Sequence, residues 1–452
     1  MQFLYHLVRH PLFLILSIYF LVVSWPFSGF PLTDGDIAHW VDWAYEIARN
    51  GTFLAAESDQ SHGPLLAWGT SLFITIFSLN FYTLNLFNVL CGMGCVSLVY
   101  VACKGYKLDD TTILISTIFT AINFVMVYLS RTPMYDLPAA FGYMLFCVGY
   151  AFYAKSASKK WLVWIVLGLM IGVLSRFMIV LGLAGFFVLV LQFFIQPTRR
   201  DWFFISFFHG LMMAIVAVLA VFPWVYVQNV MYPDVFLNEF LYDNLFRFFG
   251  DEKGHSNDYY GFILTAFVGL LPVTPMVVSA LSPSLWKLYS KHECVLFFLA
   301  MSVPCLLVFS FSGHTKLLRY ISYVFPGFLA LSGYLYVTLI NHSVYLKRLK
   351  KWYIGLLVVV SILLVIYAIQ FSAEANESIV FVISSIILLL GLIGGSYYFT
   401  VIKRDDFIKN PFIYFGACSV LYIMFFSVLA HEYHSLSFLI DVRDKINYVL
   451  FP

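Results

Sequence analysis

Long apolar runs are the feature of this sequence that most constrains its fold. They recur along most of the 452 residues, and 62% of all residues are hydrophobic. A soluble domain is usually only about 45–50% apolar. Many of the runs approach the length of about twenty residues that a helix needs to cross a bilayer. The sequence therefore predicts an all-α polytopic membrane protein.

We interpret thirteen of the runs as membrane-spanning helices. In chain order they are 11–30, 82–103, 111–129, 137–154, 161–175, 177–195, 202–229, 259–281, 294–312, 320–340, 352–371, 379–400 and 411–430. The first run has no small-residue cleavage site before the polar loop that follows, so we interpret it as a span rather than a signal peptide. A further run, 64–79, has only sixteen residues. Whether it crosses the membrane decides the sidedness of every later loop.

The distribution of charge indicates that 64–79 does not cross. Lys and Arg concentrate in the short cytoplasmic loops of membrane proteins. If the N-terminus is cytoplasmic and 64–79 does not cross, the cytoplasmic side holds 17 of the 26 Lys and Arg residues but only six of the 24 acidic residues. Crossing by 64–79 would invert this bias from the second span onward. We therefore predict that 64–79 lies along the interface or re-enters, and that the C-terminus lies outside.

The outward segments then carry an unusual mixture of charges at the membrane surface. They are 31–81, 130–136, 230–258 and 313–319. Ionisable groups close to a bilayer are expensive, so they favour a functional interpretation over simple solvation. Two carboxylates in these segments, Asp36 and Asp136, suit a general base or a metal ligand. We expect the four segments to form one active-site face.

Basic and aromatic side chains on this face suggest a phosphorylated lipid as the ligand. Arg binds phosphate through a bidentate fork, and Lys binds it as a point charge. The basic candidates are Arg131, Arg247, Lys316 and Arg319. Tyrosines such as Tyr259 and Tyr320 suit stacking on a sugar, although interfacial belts explain many aromatic residues of membrane proteins. The sequence contains no glycine-rich nucleotide-binding motif, so a nucleotide donor is not expected.

The same segments carry five motifs that occur in this order in one protein family. In "DGDIAHWVDWAYEIARNGTF", Asp36 and Gly51 have the fifteen-residue spacing at which the signature of that family begins and ends a helix, and Asp34 falls outside this spacing. The others are "SHGPLLAW" with His62, "SRTPMYDLPAAFGYMLF" with Asp136, "NEFLYDNLFRFFGDEKGHSNDYYGF" with Glu239, Arg247, His255 and Tyr259, and "FSFSGHTKLLRYISYVFP" with Lys316, Arg319 and Tyr320. Together they resemble the polyprenyl-phosphate-sugar-dependent glycosyltransferases of the GT-C fold, nearest to the lipid A aminoarabinose transferases and the protein O-mannosyltransferases.

The resemblance implies a GT-C fold with about thirteen transmembrane helices and a juxtamembrane helix in the first outer loop. It also implies an inverting transfer, in which an acceptor attacks the anomeric carbon and polyprenyl phosphate leaves. Asp36 and Asp136 are then the catalytic candidates, with Asp36 as base for a hydroxyl acceptor. Alternatively, Asp36, Asp136 and His255 hold a divalent metal ion.

The remaining candidates follow from the same resemblance. The leaving phosphate gains charge as its bond to the sugar breaks, so cations beside it would stabilise the transition state. The candidates for this role are Arg247, Lys316 and Arg319. The candidates for other substrate contacts are His62, Glu239, His255, Tyr259, Tyr320 and Arg131.

Departures from the family pattern leave the sugar and the acceptor open. Aminoarabinose transferases usually have Lys where this chain has Gly63, and His62-Gly63-Pro64 is similar instead to the His-Pro-Pro of O-mannosyltransferases. Ile37 stands where an acid often follows the first aspartate. A Lys-Gly usual between the fifth and sixth spans reads Arg176-Phe177. The acceptor is therefore expected among glycolipids such as lipid A, other envelope glycans and proteins.

The whole chain, 1–452, is expected to be a single transmembrane domain without a soluble C-terminal domain. Its expected place is the bacterial cytoplasmic (inner) membrane, with the bilayer, the lipid-linked sugar and the acceptor as partners and no nucleic acid. The alternative functions are a transporter or flippase, or another enzyme that modifies polyprenyl-phosphate lipids. Transporters keep ionisable residues near mid-membrane, often in repeated halves. The predicted spans are nearly free of charge, which disfavours transport.

The topology can be tested by labelling a cysteine in the loop 230–258. We expect Ser256→Cys to react with a membrane-impermeant thiol reagent in intact cells or spheroplasts, because the charge distribution places this loop outside. The control is the same labelling after permeabilisation, which reports the total amount of reactive thiol. Labelling only after permeabilisation would overturn the predicted topology.

Overall fold

A computed structural model describes residues 10–24, 36–51, 63–196, 198–231, 261–271, 273–280, 292–311 and 318–340. Among these residues the regular structure is entirely helical. In chain order the α-helices are α1 (Pro11–Ser24), α2 (Asp36–Asn50), α3 (Leu65–Phe77), α4 (Phe81–Gly105), α5 (Asp110–Ile122), α6 (Phe124–Arg131), α7 (Asp136–Ser156), α8 (Lys160–Ile195), α9 (Arg199–Met231), α10 (Gly261–Gly269), α11 (Thr274–Ala280), α12 (Glu293–Phe311) and α13 (Phe325–Ile340). A 3-10 helix, Leu318–Val324, precedes α13.

The described helices confirm an all-α membrane protein. Six of them are long and apolar enough to cross a bilayer, and α5 with α6 adds a seventh if this bent pair is one span. The predicted spans 352–371, 379–400 and 411–430 lie outside the described residues. The total of thirteen spans therefore stays a prediction.

The first of the segments predicted to face outward has the predicted helix. α2 runs Asp36–Asn50, and Gly51 follows it with a φ of 68°, the left-handed conformation that commonly ends a helix. The Gly51 N–H donates to the Ile47 carbonyl over 2.9 Å. One face of α2 is buried through Trp40, Trp43 and Ile47. The spacing from aspartate to glycine thus predicted both ends of this helix.

The short run 64–79 forms α3, which has 13 residues. At a rise of about 1.5 Å per residue, α3 is roughly 20 Å long. The hydrocarbon core of a bilayer is about 30 Å thick. The length of α3 therefore agrees with an interfacial or re-entrant segment, and its place in the membrane stays a prediction.

α8 is a hairpin of two antiparallel arms. Its backbone leaves the helical conformation at Arg176, where φ is −141° and ψ is 84°. A Cβ on Gly149 of α7 would lie 2.8 Å from the Trp164 side chain of the first arm. The neighbouring Tyr150 hydroxyl accepts a hydrogen bond from Gln192 of the second arm over 2.7 Å. Both arms therefore meet α7 at the same level, which agrees with the predicted spans 161–175 and 177–195.

Glycines let the hairpin approach α7 closely. A Cβ on Gly142 of α7 would overlap the backbone of Gly168 and Gly172, and a Cβ on Gly168 would overlap the backbone of Phe146. A Cβ on Gly172 would also overlap Val180 of the other arm. Small residues four apart are a common means of bringing membrane helices into backbone contact. The glycines therefore determine how α8 sits beside α7, and so where Arg176 lies.

The predicted span 111–129 contains a bend. It is divided into α5 and α6, which are bent by 51°. Asn123 lies between them, and its side-chain oxygen accepts hydrogen bonds from the N–H groups of Val125 and Met126. Its Nδ2 donates to the carbonyl of Gly269 in α10 over 2.9 Å. The bend arises because the asparagine caps a new helix inside an otherwise apolar run.

The close packing of α7 and α8 predicts opposite effects of two glycine substitutions in α8. Gly168→Ala should destabilise the protein by about 1–3 kcal/mol, because the new methyl group overlaps backbone that cannot move aside easily. Gly185→Ala is the matched control, since its Cβ would have no described atom within 4 Å. The control should be neutral or more stable by up to about 1 kcal/mol through helix propensity. Thermal unfolding in detergent measures both changes, and equal behaviour of the two variants would contradict this packing.

Candidate functional site

Asp136 occupies the first position of α7 and is the centre of a buried charge cluster. Its side chain is 1% exposed. A carboxylate is favoured at this position, because the N-terminus of a helix carries partial positive charge. The backbone carbonyl of Asp136 accepts a hydrogen bond from the Ser322 hydroxyl over 3.2 Å, which joins α7 to the 3-10 helix.

Two arginines from different elements bind the Asp136 carboxylate. Arg176, at the tip of the α8 hairpin, donates from Nη2 to Oδ1 over 3.1 Å. Arg319, in the 3-10 helix, places Nε 3.7 Å from Oδ2. The side chain of Arg176 is 13% exposed and that of Arg319 is 6% exposed. Residues 40 and 183 positions away from Asp136 are thus brought to its two oxygens.

Tyrosines surround the Arg176 guanidinium. Its central carbon lies 3.9 Å from the centre of the Tyr135 ring and 5.2 Å from that of the Tyr320 ring. The Arg319 guanidinium lies 5.3 Å from the same Tyr320 ring. Trp40 of α2 packs edge-to-face against Tyr135, with ring centres 4.9 Å apart. Cation–π contacts of this kind stabilise a guanidinium, and more strongly where water is excluded.

Counted over the described residues, the cluster holds more positive than negative charge. Within the ion triad Arg176–Asp136–Arg319, two guanidinium groups share one carboxylate. Removing charges from water costs several kcal/mol per ion, and only good geometry offsets this cost. An excess of buried positive charge is therefore an arrangement that a negatively charged ligand would stabilise. Phosphate suits it well, because its oxygens match the planar hydrogen-bond geometry of arginine.

Several of the candidates from the sequence fall within the described residues. Asp136, Arg319 and Tyr320 lie together in the cluster. Arg131 is buried at the end of α6, on the segment that leads to Asp136. Asp36 begins α2, although its side chain lies outside the described residues. The remaining candidates lie wholly outside them: His62, Glu239, Arg247, His255, Tyr259 and Lys316.

The proposed metal site of Asp36, Asp136 and His255 is left open by the described residues. They contain no group of three or more His, Cys, Asp and Glu side chains that would hold a metal ion. Asp136 is the one member whose side chain is described, and both its oxygens face guanidinium groups. Positive charge this close opposes a divalent cation at Asp136.

Arg176 is a residue of this cluster that the sequence did not predict. A signal was present, since Arg176 is the one charged residue between Trp161 and Ile195. Its role becomes clear only when the hairpin closes and brings the guanidinium to Asp136.

The departure at Gly63 has a structural reason as well. A Cβ at this position would overlap the carbonyl of Leu174, close to the hairpin tip, so no lysine side chain fits there without a shift of backbone.

Comparisons with known proteins agree with this fold. The family described as dolichyl-phosphate-mannose-protein mannosyltransferase matches residues 61–226. The chain is 28% identical over 167 residues to the undecaprenyl phosphate-alpha-4-amino-4-deoxy-L-arabinose arabinosyl transferase 2 of Proteus mirabilis. This match covers 36% of the chain and 29% of the relative.

Two solved structures of ArnT from Cupriavidus metallidurans share the fold over most of the chain. The structure bound to undecaprenyl phosphate superimposes with a TM-score of 0.67 at 17% identity, and covers 93% of this chain and 76% of that protein. The apo structure gives the same TM-score at 16% identity, with the same coverage. The chain is therefore a helical membrane protein of the GT-C fold, similar to the aminoarabinose and mannosyl transferases.

Proposed function

We propose that this protein transfers a sugar from a polyprenyl-phosphate donor to an acceptor at the outer face of the bacterial cytoplasmic membrane. The observation that carries the proposal is the buried ion triad Arg176–Asp136–Arg319, in which two guanidinium groups share one carboxylate, in a GT-C fold. A lipid phosphate suits guanidinium groups through its negative charge, while its polyprenyl chain stays in the bilayer. The ArnT structure with undecaprenyl phosphate supports such a lipid as the donor carrier.

The arginines of the triad are proposed to bind the donor phosphate. Arg319 was expected to do so from its motif, and its contact with Asp136 places Arg176 beside it. As the bond between the anomeric carbon and the phosphate oxygen breaks, its electron pair stays on the phosphate. Guanidinium groups held in place before the reaction stabilise this charge without reorganisation. Arg247 and Lys316 are proposed to complete the phosphate site.

The tyrosines help to keep this site ready for the donor. Tyr135 and Tyr320 both pack against Arg176, which restricts the rotation of its long side chain. An arginine that is held in its binding conformation loses less entropy when the ligand binds. Tyr320 lies near both guanidinium groups, so its ring also suits contact with the donor.

Asp136 is proposed to act through the arginines. Its Oδ1 accepts a hydrogen bond from Arg176 and its Oδ2 lies near Arg319, so the carboxylate orients two cations toward one place. A general base needs to reach the proton of the acceptor. Asp36 is the better candidate for that task, because its position lies one helical turn before Trp40, which contacts the cluster through Tyr135.

The reaction then follows a simple order. The acceptor hydroxyl attacks the anomeric carbon from the face opposite the phosphate, which inverts the configuration there. Its proton passes to the Asp36 carboxylate, and polyprenyl phosphate leaves with the electron pair of the broken bond. A phosphate acceptor is already anionic and needs no base, so Asp36 would orient it instead. Lipid A, another envelope glycan or a protein fits this chemistry, and the acceptor sets the role of Asp36.

Asp36→Asn should nearly abolish sugar transfer, while Asp34→Asn should retain most activity. Asparagine caps a helix about as well as aspartate, so the substitution removes the base and leaves a capping role intact. The measurement is transfer from a purified polyprenyl-phosphate sugar to the acceptor identified by mass spectrometry of lipid A, glycans and envelope proteins from a deletion strain. Expression of both variants is measured in parallel.

Robust transfer by Asp36→Asn would remove this carboxylate from the mechanism. Equal loss in Asp34→Asn would show that the two aspartates act together. If the purified protein moves the lipid-linked sugar across the bilayer of vesicles without transferring the sugar to an acceptor, the protein is a flippase and the proposed reaction is wrong.

Arg176→Ala should lower kcat by about 10²–10³-fold, the usual cost of removing one donor that stabilises developing charge. Arg49→Ala is the matched control, because Arg49 is an exposed cation on α2 and belongs to the same predicted outer face. It should leave kcat nearly unchanged. Turnover of the donor in detergent measures both variants, and similar kcat values for the two would exclude Arg176 from the phosphate site.

A further inference from the structure

The segment that joins α6 to Asp136 is held from one side by a single buried amide. Asn88 of α4 donates from Nδ2 to the carbonyl oxygens of Thr132 over 2.6 Å and Met134 over 2.8 Å. The carbonyl of Leu129 lies 3.5 Å from the same nitrogen. These carbonyls follow or end α6, where a helix leaves its last acceptors without helical partners. Asn88 is only 1% exposed, so its side chain satisfies these carbonyls inside the protein.

The orientation of this amide follows from its surroundings. Three carbonyl oxygens accept hydrogen bonds, and only the NH₂ end of an asparagine donates them. Turning the amide over would place its own oxygen against these carbonyls. The Thr132 carbonyl also accepts from the Met134 N–H over 2.8 Å, which closes a tight turn. Asn88 and this turn together fix the backbone just before Tyr135 and Asp136.

The same face of α4 holds the end of α6. Gly92 lies one helical turn after Asn88, and a Cβ there would overlap the Ser130 hydroxyl. That hydroxyl lies 2.5 Å from the Tyr19 hydroxyl of α1, which also donates to the carbonyl of Met126 over 3.2 Å. The segment 126–134 is therefore attached to α1 and α4 by buried hydrogen bonds, with Asn88 nearest the charge cluster.

We propose that Asn88 is a positioning residue for the active site. By holding the carbonyls of Thr132 and Met134, it sets the location of Tyr135 and Asp136, and through them that of Arg176. The Arg176 guanidinium lies 3.9 Å from the Tyr135 ring and 3.1 Å from Oδ1 of Asp136, so a shift of the segment changes both contacts. The proposal rests on the proposed function, in which Arg176 binds the donor phosphate.

Replacing Asn88 by Leu tests this role. Leu fills a similar volume but donates no hydrogen bond. The carbonyls of Thr132 and Met134 therefore lose their bonds to residue 88, while helix α4 is kept. Asn88→Leu should lower kcat by about tenfold to a hundredfold, because a displacement of about 1 Å at a catalytic site has effects of this size. The KM for the acceptor should change little. Binding of sugar-free polyprenyl phosphate to the purified protein should weaken as well.

The matched control is Asn80→Ala, at the start of the same helix. The Asn80 side chain caps α4 by accepting from the N–H groups of Tyr82 and Thr83. Its loss should lower the melting temperature and leave kcat and phosphate binding unchanged. Asn88→Ser, which keeps one donor, should fall between wild type and Asn88→Leu, and it replaces the Leu variant if that protein does not fold.

A double variant distinguishes a positioning role of Asn88 from a general loss of stability. If Asn88 acts on the site through Arg176, adding Asn88→Leu to Arg176→Lys should weaken phosphate binding by less than the product of the two single effects. Normal kcat and normal binding in Asn88→Leu, or fully multiplicative losses, would overturn the proposal for Asn88. Failure of the wild-type protein to bind polyprenyl phosphate would instead overturn the proposed function.

Discussion

The hydrogen-bonded ion pair between Asp136 and Arg176 is the interaction on which the geometry of the site depends. It joins the first residue of α7 to the tip of the α8 hairpin, and Arg319 joins the 3-10 helix to the same carboxylate. Buried charges of this kind often add little stability, because desolvation offsets their attraction. Among the described residues, one carboxylate lies between two largely buried guanidinium groups. The arrangement is therefore better explained by an anionic ligand than by stability.

Rigid packing of the helices sets the position of that ion pair. Gly142 of α7 and Gly168 of α8 leave room for backbone contact, so the hairpin lies directly against the helix that Asp136 begins. Residues 132–134 lie between two helices, and Asn88 holds them by the carbonyls of Thr132 and Met134. Sites built on fixed helices maintain their geometry better than sites on loops. The charged groups are thus placed by contacts that are themselves uncharged.

The chain uses its cations differently from the pattern of the proteins it resembles. At Gly63 the carbonyl of Leu174 fills the place where a side chain would begin, so a lysine does not fit there. Two residues after Leu174, Arg176 presents a guanidinium to Asp136. Arginine offers a planar fork and a ring-stacking surface that lysine lacks, and Tyr135 and Tyr320 use that surface. This difference is consistent with a donor or an acceptor unlike those of the aminoarabinose transferases.

The sequence by itself determined the features that depend on composition and local spacing. Apolar length predicted α4, α7, α9 and α12, because a bilayer sets the length of its helices. The resemblance of the stretch from Asp36 to Gly51 to a family motif predicted α2, and the left-handed Gly51 explains why the helix ends there. Motifs also singled out Asp136, Arg319 and Tyr320. Only the tertiary structure decided how these residues meet. Arg176, Asn88 and Gly168 acquire their roles when the hairpin closes on α7 and α4 approaches α6, and such distances between remote parts of the chain leave no periodic pattern in a single sequence.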